Sequence, residues 1–311
     1  MEAWTTSWFE RNYFWEWTIE AIGLGLLNFF MDCMIGFFDS GVGGLWTMQY
    51  FRHLYPSYDY LFLGDTEHNP YGEKSAEMIK TLTFAWLQWL FDQWCQIVIL
   101  ACHTASAYAI RDWQKQFPRK KVLPVSVPGV EKMWSVRWDA GCKMQDAWKA
   151  LVDGAEFVVL CSKAMSVSGI YEDLYQRMWG ERREIVCVDA QKLVALAEDG
   201  ECDSERVEAY IRDVLFGYCD DSQDKTLVLW CTHFPIFWSL LEKYWKWNIV
   251  DPGREAGKSF GDYVRRHKEI CLQKGSWEVR FCVTGDGVEF TRVVQLLLWK
   301  RIDVESIYYT L

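Results

Sequence analysis

Eleven cysteines are present, yet no two form a C-x-x-C pair, and no basic leader precedes an apolar core. Those absences exclude a disulfide framework and point to a reduced, cytoplasmic compartment. Basic residues are also in short supply, 33 Lys and Arg against 43 Asp and Glu, for a formal net charge of −10. The balance excludes a nucleic-acid backbone and a basic membrane-binding patch as the basis of function, so any anionic ligand must be held by local groups. No apolar run reaches the roughly 20 residues of a membrane-spanning helix. The nearest, Ala21 to Met31, contains Asn28 and follows Glu16 and Glu20. With the aromatic stretch from Trp4 to Trp17 it reads as an N-terminal extension of one or two helices, residues 1–32. Low-complexity linkers are missing too. What remains, 311 residues of which 50% are hydrophobic, is a globular chain of about two domains. Its 19 tryptophans are scattered through expected helices and read as packing residues rather than a stacking platform.

Two stretches share one grammar. The apolar run Ile97 to Ala101 stops at Cys102-His103-Thr104, and Thr226 to Trp230 stops at Cys231-Thr232-His233, with Pro235 suited to a first helical turn. Each cysteine ends a buried strand, where ligands of open α/β sheets bind. Thr104 and Ser106 read as caps of the helix that follows the first strand, and a thiol at a helix N-terminus is expected to have a lowered pKa. Asp39-Ser-Gly-Val-Gly-Gly44 is a glycine loop between strand Met34–Phe38 and a helix. It lacks the third glycine of a dinucleotide fingerprint, but it permits a small anion to approach backbone N–H groups.

The same alternation continues along the chain. Expected strands run over 60–63, 122–127, 157–161, 184–188, 226–230 and 279–283. Expected helices run over 75–94, 166–179, 193–198 ending at Gly200, 204–218 and 254–269, with a final helix through Trp299 after the last strand and a solvent-facing helical segment before Gly154. The pattern predicts an α/β fold of mostly parallel sheets flanked by helices.

Asp39-Ser-Gly-Val-Gly-Gly44, Gly64-Asp-Thr66, Asn69-Pro-Tyr-Gly-Glu-Lys-Ser75, Ala101-Cys-His-Thr-Ala-Ser106, Ser168-Gly-Ile-Tyr171, Glu198-Asp-Gly200, Cys231-Thr-His-Phe-Pro235 and Phe281-Cys-Val-Thr-Gly-Asp286 together resemble the motifs of glutamate racemases, in order and spacing. The likeness extends from about Cys33 onward. It implies two pseudo-symmetric α/β domains, residues 33–124 with 252–311 and residues 125–251, with the active site between them. It also implies a homodimer that uses no cofactor and no metal, and that supplies D-glutamate for peptidoglycan, the cell wall and cell shape. In that likeness Cys102 and Cys231 transfer protons on opposite faces of the substrate, and Asp39, Glu198 and His233 assist. Ser40, Tyr71, Gly72, His103, Thr104, Ser162 and Thr232, with Asp39 and His233, match substrate-binding positions.

The residues support the same chemistry independently. Inversion of a stereocentre without a cofactor needs a base on one face and an acid on the other, and two thiols near neutrality can serve. His103 stands where the family usually has Asn, and Met165 where it has Thr. Three other readings compete: a racemase of aspartate or another acidic amino acid, a non-catalytic small-acid binder, and a Cys₂His₂ zinc site from Cys102, His103, Cys231 and His233. Against zinc, the C-x₂₋₄-C and H-x₃₋₅-H spacings are absent. The other nine cysteines read as small core residues, and Asp65 reads equally well as an ordinary turn residue or a functional one.

Overall fold

The computed structural model describes residues 34–139, 157–180, 185–218, 225–270, 272, 278–298 and 304–307; the expected extension over 1–32 lies outside them. The first sheet contains β1 (Met34–Asp39), β2 (Tyr60–Gly64), β3 (Cys95–Leu100), β4 (Val122–Pro124), β9 (Val279–Val283) and β10 (Glu305–Ser306), in the order β10-β9-β2-β1-β3-β4. The second contains β5 (Phe157–Cys161), β6 (Ile185–Asp189), β7 (Thr226–Trp230) and β8 (Ile249–Val250), in the order β6-β5-β7-β8. Every pairing among these strands is parallel. Both sheets belong to one unit, Cys33–Leu311.

The sequence reason is the absence of polar alternation in the central strands. Ile35, Phe37, Tyr60, Phe62, Ile97 and Ile99 enter one core cluster, while Phe38, Leu61, Leu63, Val98 and Leu100 enter the cluster on the opposite face. Strands buried on both faces need helices on both sides, and parallel strands need crossovers that supply them. Phe37 meets Phe51 of α1 (Gly44–Leu54) edge to face, with ring centroids 5.1 Å apart. Burying one such side chain contributes about 1.5–3 kcal/mol.

Local signals set several helix ends. Ser75 caps α2 (Ala76–Asp92) by accepting the Met78 N–H, and Asp251 accepts the Gly253 N–H to cap α10 (Pro252–Arg266), with Pro252 in the first turn. Gly200, at φ +79°, closes α7 (Gln191–Glu198): its N–H reaches Ala197 O, and the Glu201 N–H reaches Leu196 O. Glu198 is thereby held at the last helical position. The remaining helices are α3 (His103–Gln116), α4 (Ser126–Asp139), α5 (Lys163–Ser166), α6 (Ile170–Trp179), α8 (Glu205–Leu215), α9 (Trp238–Tyr244) and α11 (Gly287–Leu298).

Several expectations differ from what is observed. The strand read over 122–127 stops at Pro124, because Ser126 begins α4 and Pro128 sits in its first turn. That helix is not solvent-facing where it is described, since Val130 and Met133 are buried. The helix read from 166 is two pieces, broken where Gly169 turns left-handed at φ +63°. Of the nine cysteines read as core residues, Cys95, Cys161 and Cys282 are buried and Cys187 and Cys202 half-buried; Cys33, Cys142, Cys219 and Cys271 lie outside the described residues. Among the described residues no helix is long and apolar enough to cross a membrane.

Candidate active site

The carboxyl ends of β1 and β3 build one side. Asp39 ends β1 fully buried, its Oδ1 accepting the Gly41 N–H at 3.0 Å and its Oδ2 without a hydrogen-bond partner. Burial lifts its pKa to about 6, with a contribution from Glu198, against the opposing pull of His233, Gly41 and Thr232. Cys102 follows β3 and is itself the N-cap of α3: its Sγ accepts the Ala105 N–H at 3.4 Å and lies 3.4 Å from Ser40 Oγ. Thr104 and Ser106, expected as caps, sit inside the first turn, where Ser106 donates to Leu100 O. The helix end was expected to depress the thiol's pKa, but it is pushed up to about 12, because burial and the Asp39 charge outweigh the Ser40 and Ala105 hydrogen bonds. His103 is buried with its ring centroid 5.3 Å from that of Trp230 and its Nδ1 unpartnered; burial drives its pKa down to about 3, so the ring is neutral.

The carboxyl ends of β5 and β7, with α7, build the other side. His233 Nδ1 lies 3.4 Å from Cys231 Sγ, and its Nε2 lies 2.5 Å from Glu198 Oε1. Burial works against a charged imidazole here, but Glu198 and Cys231 more than offset it and raise the His233 pKa well above the ordinary value. Burial likewise opposes the Glu198 carboxylate, and His233, Val42 and Asn69 overcome it to lower its pKa. Glu198 Oε1 also accepts the Val42 N–H at 3.4 Å. The glycine loop was read as open to a small anion, and the anion that approaches it is this carboxylate. A Cβ on Gly41 would collide with Glu198 Oε1, and one on Gly43 with Thr232 Oγ1. Ser162, after β5, has a buried hydroxyl with no partner.

Cys102 and Cys231 both line one small cavity of about 30 Å³, together with Ser40, Tyr71, Gly72, His103, Thr104, Ser162, Thr232 and His233. Asp39 and Glu198, expected as catalytic residues, do not line it; Glu198 reaches it through His233. The Tyr71 hydroxyl donates to Asp65 Oδ2 at 2.6 Å. Asn69, Pro70, Gln191, Val194 and Trp230 complete the lining and were missed as site residues. The available signal was position alone, since Trp230 ends β7 and Gln191 opens α7 two residues after β6. A larger cavity of about 580 Å³ lies beyond His103 and Trp230, shares both with the small one, and contains neither thiol. Among the described residues no three His, Cys, Asp or Glu side chains converge to hold a metal ion, and His103 packs on Trp230 rather than joining a Cys₂His₂ set.

No family model matches the chain. It is 33% identical over 288 residues to a glutamate racemase of Jannaschia sp. (strain CCS1), covering 88% of this chain and 99% of that protein. It is 30% identical over 274 residues to a glutamate racemase of Aquifex aeolicus (strain VF5), covering 86% and 95%. Among solved structures it aligns at a TM-score of 0.74 and 24% identity with a glutamate racemase from Francisella tularensis in complex with D-glutamate, covering 90% of this chain and 98% of that one. The RacE1 glutamate racemase of Bacillus anthracis gives a TM-score of 0.76 at 22% identity, covering 89% and 98%. The structural likeness bears on the fold, α/β with parallel sheets flanked by helices.

Proposed function

The chain belongs to the glutamate racemase family, and on that premise we propose that it interconverts L- and D-glutamate by proton transfer between two thiols without a cofactor. The observation that carries the reading is that Cys102 and Cys231, from different sheets, line one cavity whose wall also holds Thr104, Thr232 and the unpartnered Ser162 hydroxyl. A buried polar atom without a partner has lost its hydration, so a polar ligand that meets it is bound tightly.

In this scheme one sulfur, as thiolate, takes the α-proton while the other, as thiol, returns a proton to the opposite face. The Cα–H bond breaks, a new one forms inverted, and the two sulfurs exchange protonation states. Cys231 works beside the His233–Glu198 pair, with the imidazole 3.4 Å from its sulfur to take up or return a proton. Cys102, with its raised pKa, rests as the thiol and so begins as the acid. By the family likeness, Cys231 faces the proton of the L enantiomer and Cys102 that of the D. Backbone N–H groups and hydroxyls at Ser40, Gly72, Thr104, Ser162 and Thr232 would hold the carboxylates and ammonium of the substrate without an arginine.

The domain division at 124/125 and 251/252 is part of this reading, supported by the six-stranded sheet drawing its strands from 34–124 and 279–306 and the four-stranded sheet from 157–250. A cytoplasmic site, a homodimer and supply of D-glutamate to peptidoglycan follow from the family likeness. Free thiols at the reacting positions fit a reducing compartment.

Circular dichroism of the purified protein, incubated separately with L- and D-glutamate and no added cofactor, tests the proposal. Decay of both signals to zero is the expected result, and two unchanged signals would overturn it. Aspartate in place of glutamate separates the nearest alternative.

A further inference from the structure

We propose that Asp65 is a positioning residue for the reaction: acting through Tyr71, it fixes the Tyr71-Gly72 wall of the substrate cavity and ties that wall to the C-terminal strand β9. The inference rests on the racemase reading above and assigns a role to a carboxylate which that reading leaves unused.

Asp65 follows β2, is fully buried, and receives three groups from separate segments. Its Oδ2 accepts the Tyr71 hydroxyl at 2.6 Å; its Oδ1 accepts the Thr284 hydroxyl at 2.7 Å and lies 2.8 Å from His68 Nδ1. The backbone reinforces the same junction. The Asp65 N–H donates to Asp39 O, the Thr284 N–H to Gly64 O, the Glu67 N–H to Thr284 Oγ1, and the Gly285 N–H to Thr66 Oγ1. A buried carboxylate is tolerated only with such partners, and once formed the set is rigid because leaving any member unpaired is costly.

The consequence reaches the cavity through Tyr71. Its hydroxyl proton is committed to Asp65, and burial together with the Asp65 charge keeps that proton on, so Tyr71 serves the substrate by its ring and main chain rather than as a hydroxyl donor. Next to it, Gly72 is held close enough that a Cβ would lie 3.1 Å from Ser162 Oγ and 3.2 Å from Gln191 Oε1. A displacement of a few tenths of an ångström in this segment therefore moves the cavity wall against Ser162. Such a wall binds substrate and transition state alike, so loosening it raises KM more than it lowers kcat.

The test is a double-mutant cycle on the full chain with Asp65→Asn, Tyr71→Phe and both together, read as kcat and KM for glutamate, as calorimetric Kd for D-glutamate, and as melting temperature. Each single variant is expected to raise KM and Kd about tenfold, with kcat within about threefold, and the double variant no further than the worse single one. Equal effects of Asp65→Asn in the parent and in the Tyr71→Phe background, or KM and Kd within about twofold of the parent in a folded Asp65→Asn protein, would overturn the proposal. Should Asp65→Asn fail to fold, Thr284→Val removes one of its donors and keeps the charge. A rise of about two- to fivefold in KM supports the proposal there, and an unchanged KM overturns it. A parent protein that binds D-glutamate but does not racemise it would refute the racemase reading instead, and the same cycle on Kd would still decide the role of Asp65.

Discussion

The two cysteine-bearing halves of the site share a strand end, a small hydroxyl residue and a histidine, yet the structure gives them opposite electrostatics. Where the histidine directly follows the cysteine, at 103, its ring packs on Trp230, and burial leaves it neutral with a pKa of about 3. Where it comes two residues later, at 233, it meets both the cysteine sulfur and Glu198, and its pKa is raised well above the ordinary value. Cys102 caps a 14-residue helix and still has its pKa pushed to about 12, because burial and Asp39 outweigh the Ser40 and Ala105 hydrogen bonds. Repetition in sequence thus repeats the placement of a thiol, whereas one residue of offset decides whether an imidazole reaches it.

The largest expected effect tests whether the halves are equal partners. Cys102→Ser and Cys231→Ser should each lower racemisation by about 10³-fold or more, since each removes the acid–base group on one face. In deuterated solvent, each variant should still exchange the α-proton of the enantiomer that its remaining thiol faces. Exchange into both enantiomers from a single-thiol protein would break the two-face assignment.

Glu198→Gln addresses the Cys231 half alone. Without the carboxylate, burial pulls the His233 pKa down, so the imidazolium is lost at lower pH and the alkaline limb of the kcat/KM profile moves downward. A loss of about 10- to 100-fold near neutrality is expected. Because enantiomers have equal free energy, kcat/KM must fall equally in both directions, and any asymmetry appears in kcat and KM by the same factor.

On the Cys102 half, Asp39 offers a stability test. Its folded pKa of about 6 lies above the ordinary value of 3.8, so its contribution is fully present below pH 3.8 and lost as pH rises through 6. Asp39→Asn should therefore reduce activity but stabilise the protein at pH 7.5 by roughly 1–3 kcal/mol, with little gain at pH 4, as measured by denaturant melts at the two pH values.

The smallest effect belongs to His103→Asn. A neutral ring supplies no charge to Cys102, so the acidic limb should stay where it is and kcat/KM should hold or rise by about threefold at most. An upward shift of that limb would mean that His103 is charged, and would erase the contrast between the halves.

Most of the fold was legible because the central strands carry their information locally: uninterrupted Ile, Val, Leu and Phe runs ending at Asp39, Gly64, Cys102, Cys161 and Cys231 could be read without knowing their neighbours. Caps such as Ser75 and the terminator Gly200 were legible for the same reason. What escaped depends on residues distant in sequence. The β10 strand is two residues long and is recognisable only by its pairing with Cys282 and Val283. The two readings of Asp65, turn residue or functional one, could not be separated until Thr284, 219 residues away, is seen on its carboxylate. The expectation of a lowered Cys102 pKa took account of the helix end, and missed the burial that overrides it.

The clearance between the glycine loop and the opposite half has a consequence for how such a sequence can vary. Gly41 faces Glu198 and Gly43 faces Thr232 with no room for a methyl group. The loop cannot drift by a single substitution that adds a side chain unless groups more than 150 residues away give way, the end of the Glu198 side chain at position 41 and the main chain of Thr232 and His233 at position 43. A library that randomises position 41 should recover glycine unless position 198 is randomised too, whereas position 43, whose Cβ would meet the main chain of Thr232 and His233, should return glycine whatever stands at 232.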